Sequence, residues 1–150
     1  MTKQHQSVLE GEILKHLDLE EGSLIVDGTL GDGGHTELIL KNTTSVRVLA
    51  IDRDLDAIER AGKRLAPFKN RTILVHENFS NIKSILKKAN VMNVNGLLLD
   101  LGVSSPQLDS PERGFSFMRN GPLDMRMDST QKTTAADLLV NLSDRELVST

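Results

Sequence analysis

The chain has 150 residues, a formal net charge of −3, 38% hydrophobic residues and 26% charged residues. These values indicate one globular domain and exclude a disordered or membrane-spanning chain, since no apolar run approaches the roughly 20 residues of a bilayer helix. Cysteine is absent, which excludes disulfides and thiolate metal sites, and the first residues lack a signal peptide's apolar region, so a cytoplasmic protein is expected. The acidic balance argues against non-specific binding to nucleic acid.

The first predicted helix extends from Ser7 to Leu17. Ser7 is suited to cap this helix because Glu10 follows three positions later, as in a capping box, and apolar side chains recur along one helical face. The helix is expected to pack against the edge of a sheet. His5, directly before it, is interpreted either as a substrate contact or as a solvent-facing side chain.

The stretch from Leu24 to Leu40 predicts a β-strand, a glycine-rich turn and a helix. Its apolar strand closes with Asp27, and the turn that follows holds glycines at positions 28, 31, 33 and 34. Glycine lets the backbone turn sharply and lets a ligand approach the main chain, and the N-terminus of the next helix favours an anionic group. The alternative is a tight turn that binds nothing.

A second apolar run, Val46 to Ile51, also ends in an acid, Asp52. In dinucleotide-type folds, an acid about 20 residues past the first glycine accepts hydrogen bonds from ribose hydroxyls, and Asp52 stands at this distance from Gly31. The NAD fingerprint G-x-G-x-x-G is met only in part, because Thr36 occupies its third glycine position. The spacing predicts a ligand that contains a ribose.

Two further helices are predicted, at Leu55 to Leu65 and at Ile82 to Ala89. Two further strands are predicted, at Thr72 to Val75 and at Leu97 to Leu99. The last strand shows no polar alternation, which predicts burial on both faces of a parallel sheet. Phe79 follows the third strand, where it would pack either against a base ring or in the core. Asp27, Asp52 and Asp100 each follow a predicted strand, which favours a ligand site at the carboxyl edge of the sheet.

Glycine and proline interrupt the stretch from Leu101 to Asp128, which predicts a long non-repetitive loop with a functional role. Thr134 then caps a helix that runs through Val140, and Ser143 with Glu146 opens another. No fifth strand is predicted.

Four sequence blocks resemble the bacterial 16S ribosomal RNA cytosine-N4 methyltransferases, the RsmH or MraW family. They are V-D-G-T-L-G-D-G-G-H-T at 26–36, A-I-D-R-D at 50–54, L-L-D-L-G-V-S-S-P-Q-L-D at 98–109 and E-R-G-F-S-F-M-R-N-G-P-L-D-M-R-M-D at 112–128. The resemblance implies a Rossmann-like class I methyltransferase fold, S-adenosylmethionine as cofactor and a cytosine amine in 16S ribosomal RNA as acceptor. It implies these cofactor contacts: Gly33, Gly34, His35, Asp52, Phe79, Asp100 and Gln107. It leaves the catalytic residue unnamed and requires no metal.

Two positions depart from commoner methyltransferase patterns. Thr29 stands where the usual loop has its first glycine, and D-L-G-V after strand four replaces an Asp/Asn-Pro-Pro-aromatic tetrapeptide. Both departures are typical of the family that the chain resembles, so they do not weaken the resemblance.

Family members are about twice this length and carry a helical domain inserted after strand four. The resemblance therefore implies a partial fold of about four parallel strands in the order 3-2-1-4. Residues 1–109 would form the first half of the cofactor-binding core, and residues 110–150 a loop and the start of the inserted helical domain.

The chain is expected to be an inactive N-terminal portion of a methyltransferase and to self-associate through its exposed fourth strand. The alternatives are a non-catalytic fragment that binds a cofactor or the ribosome, and an NAD-dependent dehydrogenase.

Overall fold

The structure, a computed structural model, describes residues 8–149. The capping role predicted for Ser7 and the interpretations of His5 fall outside these residues. The chain divides into two compact units, the first ending at Leu101 and the second beginning at Gly102.

The first unit is an α/β layer structure whose parallel sheet has the order β3-β2-β1-β4. Its strands are β1 (Leu24–Asp27), β2 (Arg47–Asp52), β3 (Thr72–His76) and β4 (Gly96–Leu98). Its helices are α1 (Glu10–His16), α2 (Gly34–Asn42), α3 (Leu55–Arg64) and α4 (Ile82–Lys88). The predicted fold class and strand order are confirmed.

The two faces of the sheet belong to two cores. Ile25 and Val48 are paired neighbours on β1 and β2 and pack in a core with side chains of α2 and α3. Val26 and Leu49, one position further along each strand, pack on the opposite face with Ile85 of α4. Because successive strand residues point to opposite faces, continuous apolar runs are what a sheet covered on both sides requires.

Helix α1 begins three residues later than predicted. Leu9, directly before it, has a left-handed backbone with φ +54°, and such a residue cannot belong to a right-handed helix. The helix therefore runs from Glu10 instead of Ser7. Leu17, just after its end, packs partly against the core on the α2 side of the sheet.

Strand β4 differs from its prediction in burial. The all-leucine run predicted a strand covered on both faces, but Leu97 is 48% exposed and Leu99 is 39% exposed. Among the described residues, β4 pairs only with β1, so it forms an edge of the sheet. A prediction from local sequence cannot tell whether a neighbouring strand and a covering layer are present.

The second unit contains short helices, α5 (Ser105–Asp109), α6 (Ala135–Asn141) and α7 (Asp144–Ser149). Thr134 caps α6 as predicted, since its Oγ1 accepts a hydrogen bond from the amide of Asp137 at 3.2 Å. The predicted opening of α7 is also confirmed, because the Ser143 amide donates to Glu146 Oε2 at 2.9 Å.

Helix α5 lies within the stretch that was predicted to be loop. It has only five residues and carries Pro106 in its first turn, where proline is tolerated but helical periodicity has no room to appear. Between residues 8 and 149, no helix is long and apolar enough to cross a membrane.

Candidate functional site

The loop between β1 and α2 is fixed to the carboxyl ends of the neighbouring strands by its own amides. The Gly28 amide donates to the Leu98 carbonyl at 2.9 Å, that of Leu30 to the Ile51 carbonyl at 3.0 Å, and that of Gly31 to Asp52 Oδ2 at 2.7 Å. These bonds attach the loop to β4 on one side and to β2 on the other. Its shape is therefore set by the sheet.

Asp27, at the end of β1, is enclosed by this loop. Its carboxylate accepts hydrogen bonds from the Thr36 hydroxyl at 2.7 Å and from the Thr29 amide at 3.1 Å, and the residue is only 1% exposed. Burial raises the pKa of the Asp27 carboxyl, and the hydrogen bonds from Thr36 and Thr29 oppose that rise. Asp27 thus supports the loop from inside, unlike the two other strand-end acids.

Asp52, at the end of β2, is partly exposed. Its Oδ2 accepts from the Gly31 amide at 2.7 Å and its Oδ1 accepts from the Asp54 amide at 2.9 Å. A carboxylate has about four acceptor positions, so these two bonds orient the group and leave capacity for further donors. The geometry suits a ligand that presents hydroxyl groups beside the glycine loop.

His35 and Asp100 meet at the other side of the loop. His35 Nδ1 lies 3.9 Å from Asp100 Oδ2, and the Asp100 side chain is 51% exposed. His35 Nε2 lies 2.9 Å from the Val8 carbonyl oxygen, and because a carbonyl can only accept, Nε2 carries a proton. The ring is therefore held with Nδ1 towards the carboxylate at the end of β4.

Gly33 is required by the backbone and by packing. Its φ is +78°, and a Cβ there would lie 3.3 Å from Ala61 Cβ and from Leu65 Cδ1. Its amide donates to the Leu30 carbonyl at 2.8 Å. The Glu37 amide donates to the Gly33 carbonyl at 2.9 Å, so the amides at the start of α2 that have no acceptor within the helix are those of residues 34–36.

Phe79 lies beside the start of the glycine loop. A Cβ built on Gly28 would be 3.3 Å from Phe79 Cβ and 2.6 Å from Leu99 Cδ2, so a larger residue there would require both side chains to shift. The Glu77 amide, two residues before Phe79, donates to the Asp52 carbonyl at 2.9 Å and attaches this segment to the end of β2. The ring is partly exposed, and its stacking against a base stays a prediction.

Six of the seven predicted cofactor contacts therefore lie in the first unit, on the loop, at the start of α2, at the end of β2 or in the segments that follow β3 and β4. Gln107 lies in the second unit, where it is buried in α5 and its Oε1 accepts from the Ser104 amide at 2.9 Å. Its contact with a cofactor stays a prediction. Over residues 8–149, no three His, Asp or Glu side chains come together as they would around a metal ion.

Residues 2–150 match the family model of the MraW methylase family. A curated relative, ribosomal RNA small subunit methyltransferase H of Carboxydothermus hydrogenoformans, is 49% identical over 144 residues, which make up 96% of this chain and 46% of the relative. The chain spans about half the length of the curated relatives it matches.

Solved structures show the same fold at lower identity. An rRNA methylase from Streptococcus thermophilus superposes with a TM-score of 0.50 at 23% identity, over 68% of this chain and 57% of that one. A Streptococcus mutans protein in complex with SAH gives a TM-score of 0.54 at 17% identity, over 69% of this chain and 56% of that one. The predicted Rossmann-like methyltransferase fold is thus confirmed.

Proposed function

Because the chain belongs to the MraW methylase family, we propose that it is part of an S-adenosylmethionine-dependent methyltransferase that modifies RNA of the small ribosomal subunit. Besides family membership, the proposal rests on the groups that the structure brings together at the carboxyl edge of the sheet. There a glycine loop, the start of α2 and two partly exposed carboxylates, Asp52 and Asp100, lie around one strand-to-helix turn.

The residues present fit the cofactor's functional groups. Asp52 keeps acceptor capacity for ribose hydroxyls, and the amides of Gly34 and His35 at the start of a nine-residue helix suit a carboxylate. Phe79 offers an apolar face to an adenine, and the half-exposed Asp100 suits a cationic or N–H donor group. Gly33 shapes the turn that presents these amides. When bound, S-adenosylmethionine supplies a methyl group activated by its sulfonium.

We further propose that the acceptor is a cytosine N4 amine of 16S ribosomal RNA, as the family resemblance implies. This amine is a weak nucleophile because its lone pair is delocalised into the ring, so the enzyme must orient it and receive a proton. Orientation can supply much of the rate, and the base must leave its stack to reach the site. Such a substrate would place the protein in the bacterial cytoplasm.

Of the three carboxylates at the strand ends, Asp100 is the most exposed and is a candidate to receive that proton, as are the backbone carbonyls after it. If it instead holds the cofactor, the proton goes to another group, and the catalytic residue therefore stays unassigned. Residues 110–150 are proposed to begin the inserted helical domain, and Gln107 is proposed as a cofactor contact because the family resemblance implies it.

An NAD-dependent dehydrogenase is disfavoured by a specific contact. Thr36 occupies the third glycine position of the NAD fingerprint, is fully buried and directs its hydroxyl to Asp27 at 2.7 Å. A non-catalytic cofactor-binding portion is the stronger alternative, because the chain spans about half the length of its relatives.

Calorimetric titration of the chain with S-adenosylmethionine and with NAD tests the proposal. We expect S-adenosylmethionine to bind and Asp52→Ala to weaken it at least tenfold, since two hydrogen bonds to a charged acceptor contribute about 1.5–3 kcal/mol each. Glu59→Ala removes the same charge from an exposed position of α3 and serves as the matched control.

The fold of each variant is checked by urea unfolding, because Asp52 also accepts the Gly31 and Asp54 amides. Unchanged affinity in Asp52→Ala would contradict the ribose role. Tighter binding of NAD than of S-adenosylmethionine would overturn the proposed cofactor.

A further inference from the structure

Thr29 makes a contact that the resemblance does not assign. Its Oγ1 accepts a hydrogen bond from the Asp100 amide at 2.7 Å, which joins the glycine loop after β1 to the segment after β4. This is the position where the commoner methyltransferase loop has glycine, which has no hydroxyl to offer. The threonine therefore adds an attachment that such loops lack.

The hydrogen bond between Thr29 and Asp100 lies just beyond the end of the β1–β4 pairing. The last bond between the two segments is the one from the Gly28 amide to the Leu98 carbonyl, at 2.9 Å, and β4 ends at Leu98. Since β4 is an edge strand in the described part of the chain, no second strand holds its carboxyl end. The Thr29 hydroxyl extends the connection to β1 by two residues, as far as Asp100.

Thr29 is itself held from the buried side. Its amide donates to Asp27 Oδ1 at 3.1 Å, and Asp27 Oδ2 accepts the Thr36 hydroxyl of α2 at 2.7 Å. A continuous path of hydrogen bonds thus runs from α2 through the buried Asp27 and Thr29 to Asp100. Because the carboxylate in its middle is fully enclosed, the Thr29 hydroxyl has a fixed anchor.

We infer that Thr29 is a positioning residue that acts through Asp100. Its hydroxyl holds the end of β4 so that the Asp100 carboxylate stays at the carboxyl edge of the sheet, where it lies 3.9 Å from His35 Nδ1. This inference rests on the proposed function, in which Asp100 binds a cationic or N–H donor group of S-adenosylmethionine. Without the hydroxyl, the Asp100 amide loses this acceptor, and the hydrogen bonds described between the loop and the β4 side end at Leu98.

Two substitutions at Thr29 separate the hydroxyl from the shape of the side chain. Thr29→Val keeps the branched shape and the amide bond to Asp27 but removes the acceptor, whereas Thr29→Ser keeps the acceptor. In calorimetric titration we expect Thr29→Val to bind S-adenosylmethionine about fivefold to tenfold more weakly, the loss that follows removal of a hydrogen bond. Thr29→Ser should restore affinity to within about twofold.

The role through Asp100 is tested by a double-mutant cycle. In an Asp100→Ala background, Thr29→Val should cause no further loss, because the carboxylate that it positions is gone. Equal losses in both backgrounds, or equal losses in the valine and serine variants, would overturn the inference. Urea unfolding of each variant shows whether a loss of affinity reflects loss of the fold.

Amide exchange at Asp100 separates this inference from the proposed function. The Asp100 amide should exchange faster in Thr29→Val than in Thr29→Ser and the parent chain, whether or not a cofactor binds. If the parent chain binds no S-adenosylmethionine, the proposed function fails, while the exchange rates still decide whether the hydroxyl holds this segment. Equal exchange in all three proteins would refute the contact itself.

Discussion

The three carboxylates at the strand ends differ in how much of their hydrogen-bonding capacity the protein itself uses. Asp27 is enclosed and bonded on both oxygens, so it has nothing to offer a ligand. Asp52 uses one position on each oxygen for backbone amides and keeps the others. The Asp100 carboxylate is half exposed and lies 3.9 Å from the Nδ1 atom of His35. Three acids that look equivalent in the sequence thus differ in the structure: Asp27 is enclosed beneath the loop, whereas Asp52 and Asp100 are candidate ligand contacts.

Asp27 should make the stability of the chain depend on pH in an unusual direction. Burial holds its pKa above the ordinary 3.8, so between the two pKa values the folded chain holds the proton more often than the unfolded chain does. The free energy of unfolding should therefore fall as pH rises from 3.8 through the raised pKa. Urea unfolding at several pH values measures this, and the Asp27→Asn variant should lack this dependence.

The asparagine is a fair replacement because its oxygen can accept the Thr29 amide while its NH₂ donates to the Thr36 hydroxyl, which rotates. Asp124→Asn provides a control of opposite sign. Hydrogen bonds from Arg126 lower the pKa of Asp124 to about 2, so the stability that Asp124 contributes is present above pH 3.8 and lost as pH falls towards 2. A difference between the parent chain and Asp27→Asn that does not change with pH would contradict the first prediction.

At the scale of elements, the sequence predicted what short-range patterns determine. The strands β1, β2 and β3, helix α3 and the caps at Thr134 and Ser143 follow from continuous apolar runs, helical spacing and capping residues. The exposure of β4 could not be predicted, because burial depends on a neighbouring layer and the leucines are the same in either case.

Contacts between distant segments were equally hidden in the sequence. In the sequence, Asp27 and Asp52 look alike because each follows an apolar run. Only the structure shows that the loop after β1 encloses Asp27. Thr29 read as a departure from a glycine pattern, because its bond to Asp100 spans 71 positions. The sharp turn predicted for the glycine loop agrees with the φ of +78° at Gly33, but the closeness of this residue to Ala61 could not be predicted, and its contact with a cofactor stays a prediction.

We predict that the segment from Arg113 to Asp128, which belongs to the long loop predicted from the sequence, forms part of a lid for the substrate or cofactor. Its two ends are tied together, since Arg113 Nη2 donates to the carbonyls of Arg126 and Met127 at 3.0 Å each. Between these ends, the side chains of Phe117 and Met118 are fully exposed. A segment whose ends are hydrogen-bonded to each other and whose middle is exposed is suited to become ordered when a ligand binds.

Hydrogen exchange tests this prediction. Amides at 116–120 should exchange much faster than those of β1 and β2 in the free chain, and they should slow when S-adenosylmethionine or ribosomal RNA is added. The Met125 amide, which donates to the Arg113 carbonyl at 3.1 Å, is the internal control and should be protected throughout. Exchange at 116–120 as slow as in the strands without ligand would favour the alternative of a rigid packing loop.

At the scale of the whole molecule, the open side of β4 is the feature with the largest consequence. An edge strand presents unpaired N–H and C=O groups, and among the described residues Leu97 of β4 and Leu99 directly after it are 48% and 39% exposed. Natural edge strands are protected by charge, proline or a covering element, and the sequence of β4 is glycine and two leucines. The expected results are self-association of the 150-residue chain or marginal stability.

Sedimentation analysis over a range of concentrations tests the self-association. Leu97→Lys should shift the chain to monomer, because a lysine on an edge strand opposes pairing with another strand. Val148→Lys makes a comparable change at an exposed position of α7 and should leave association unchanged. A parent chain that is monomeric and fully stable throughout would contradict the prediction, as would equal effects of both variants.

The 150-residue chain is also expected not to methylate ribosomal RNA by itself. It spans about half the length of its relatives, and in the part that the structure describes, β4 is an edge strand directly before the Asp100 segment of the proposed site. A site whose β4 side is attached through β1 and the Thr29 contact can retain cofactor binding without the precise orientation that methyl transfer demands. The measurement is transfer of labelled methyl from S-adenosylmethionine to purified small ribosomal subunits, with a full-length relative as the positive control. Cofactor binding without transfer is the expected result, and transfer at a rate near that of the relative would show that these residues suffice.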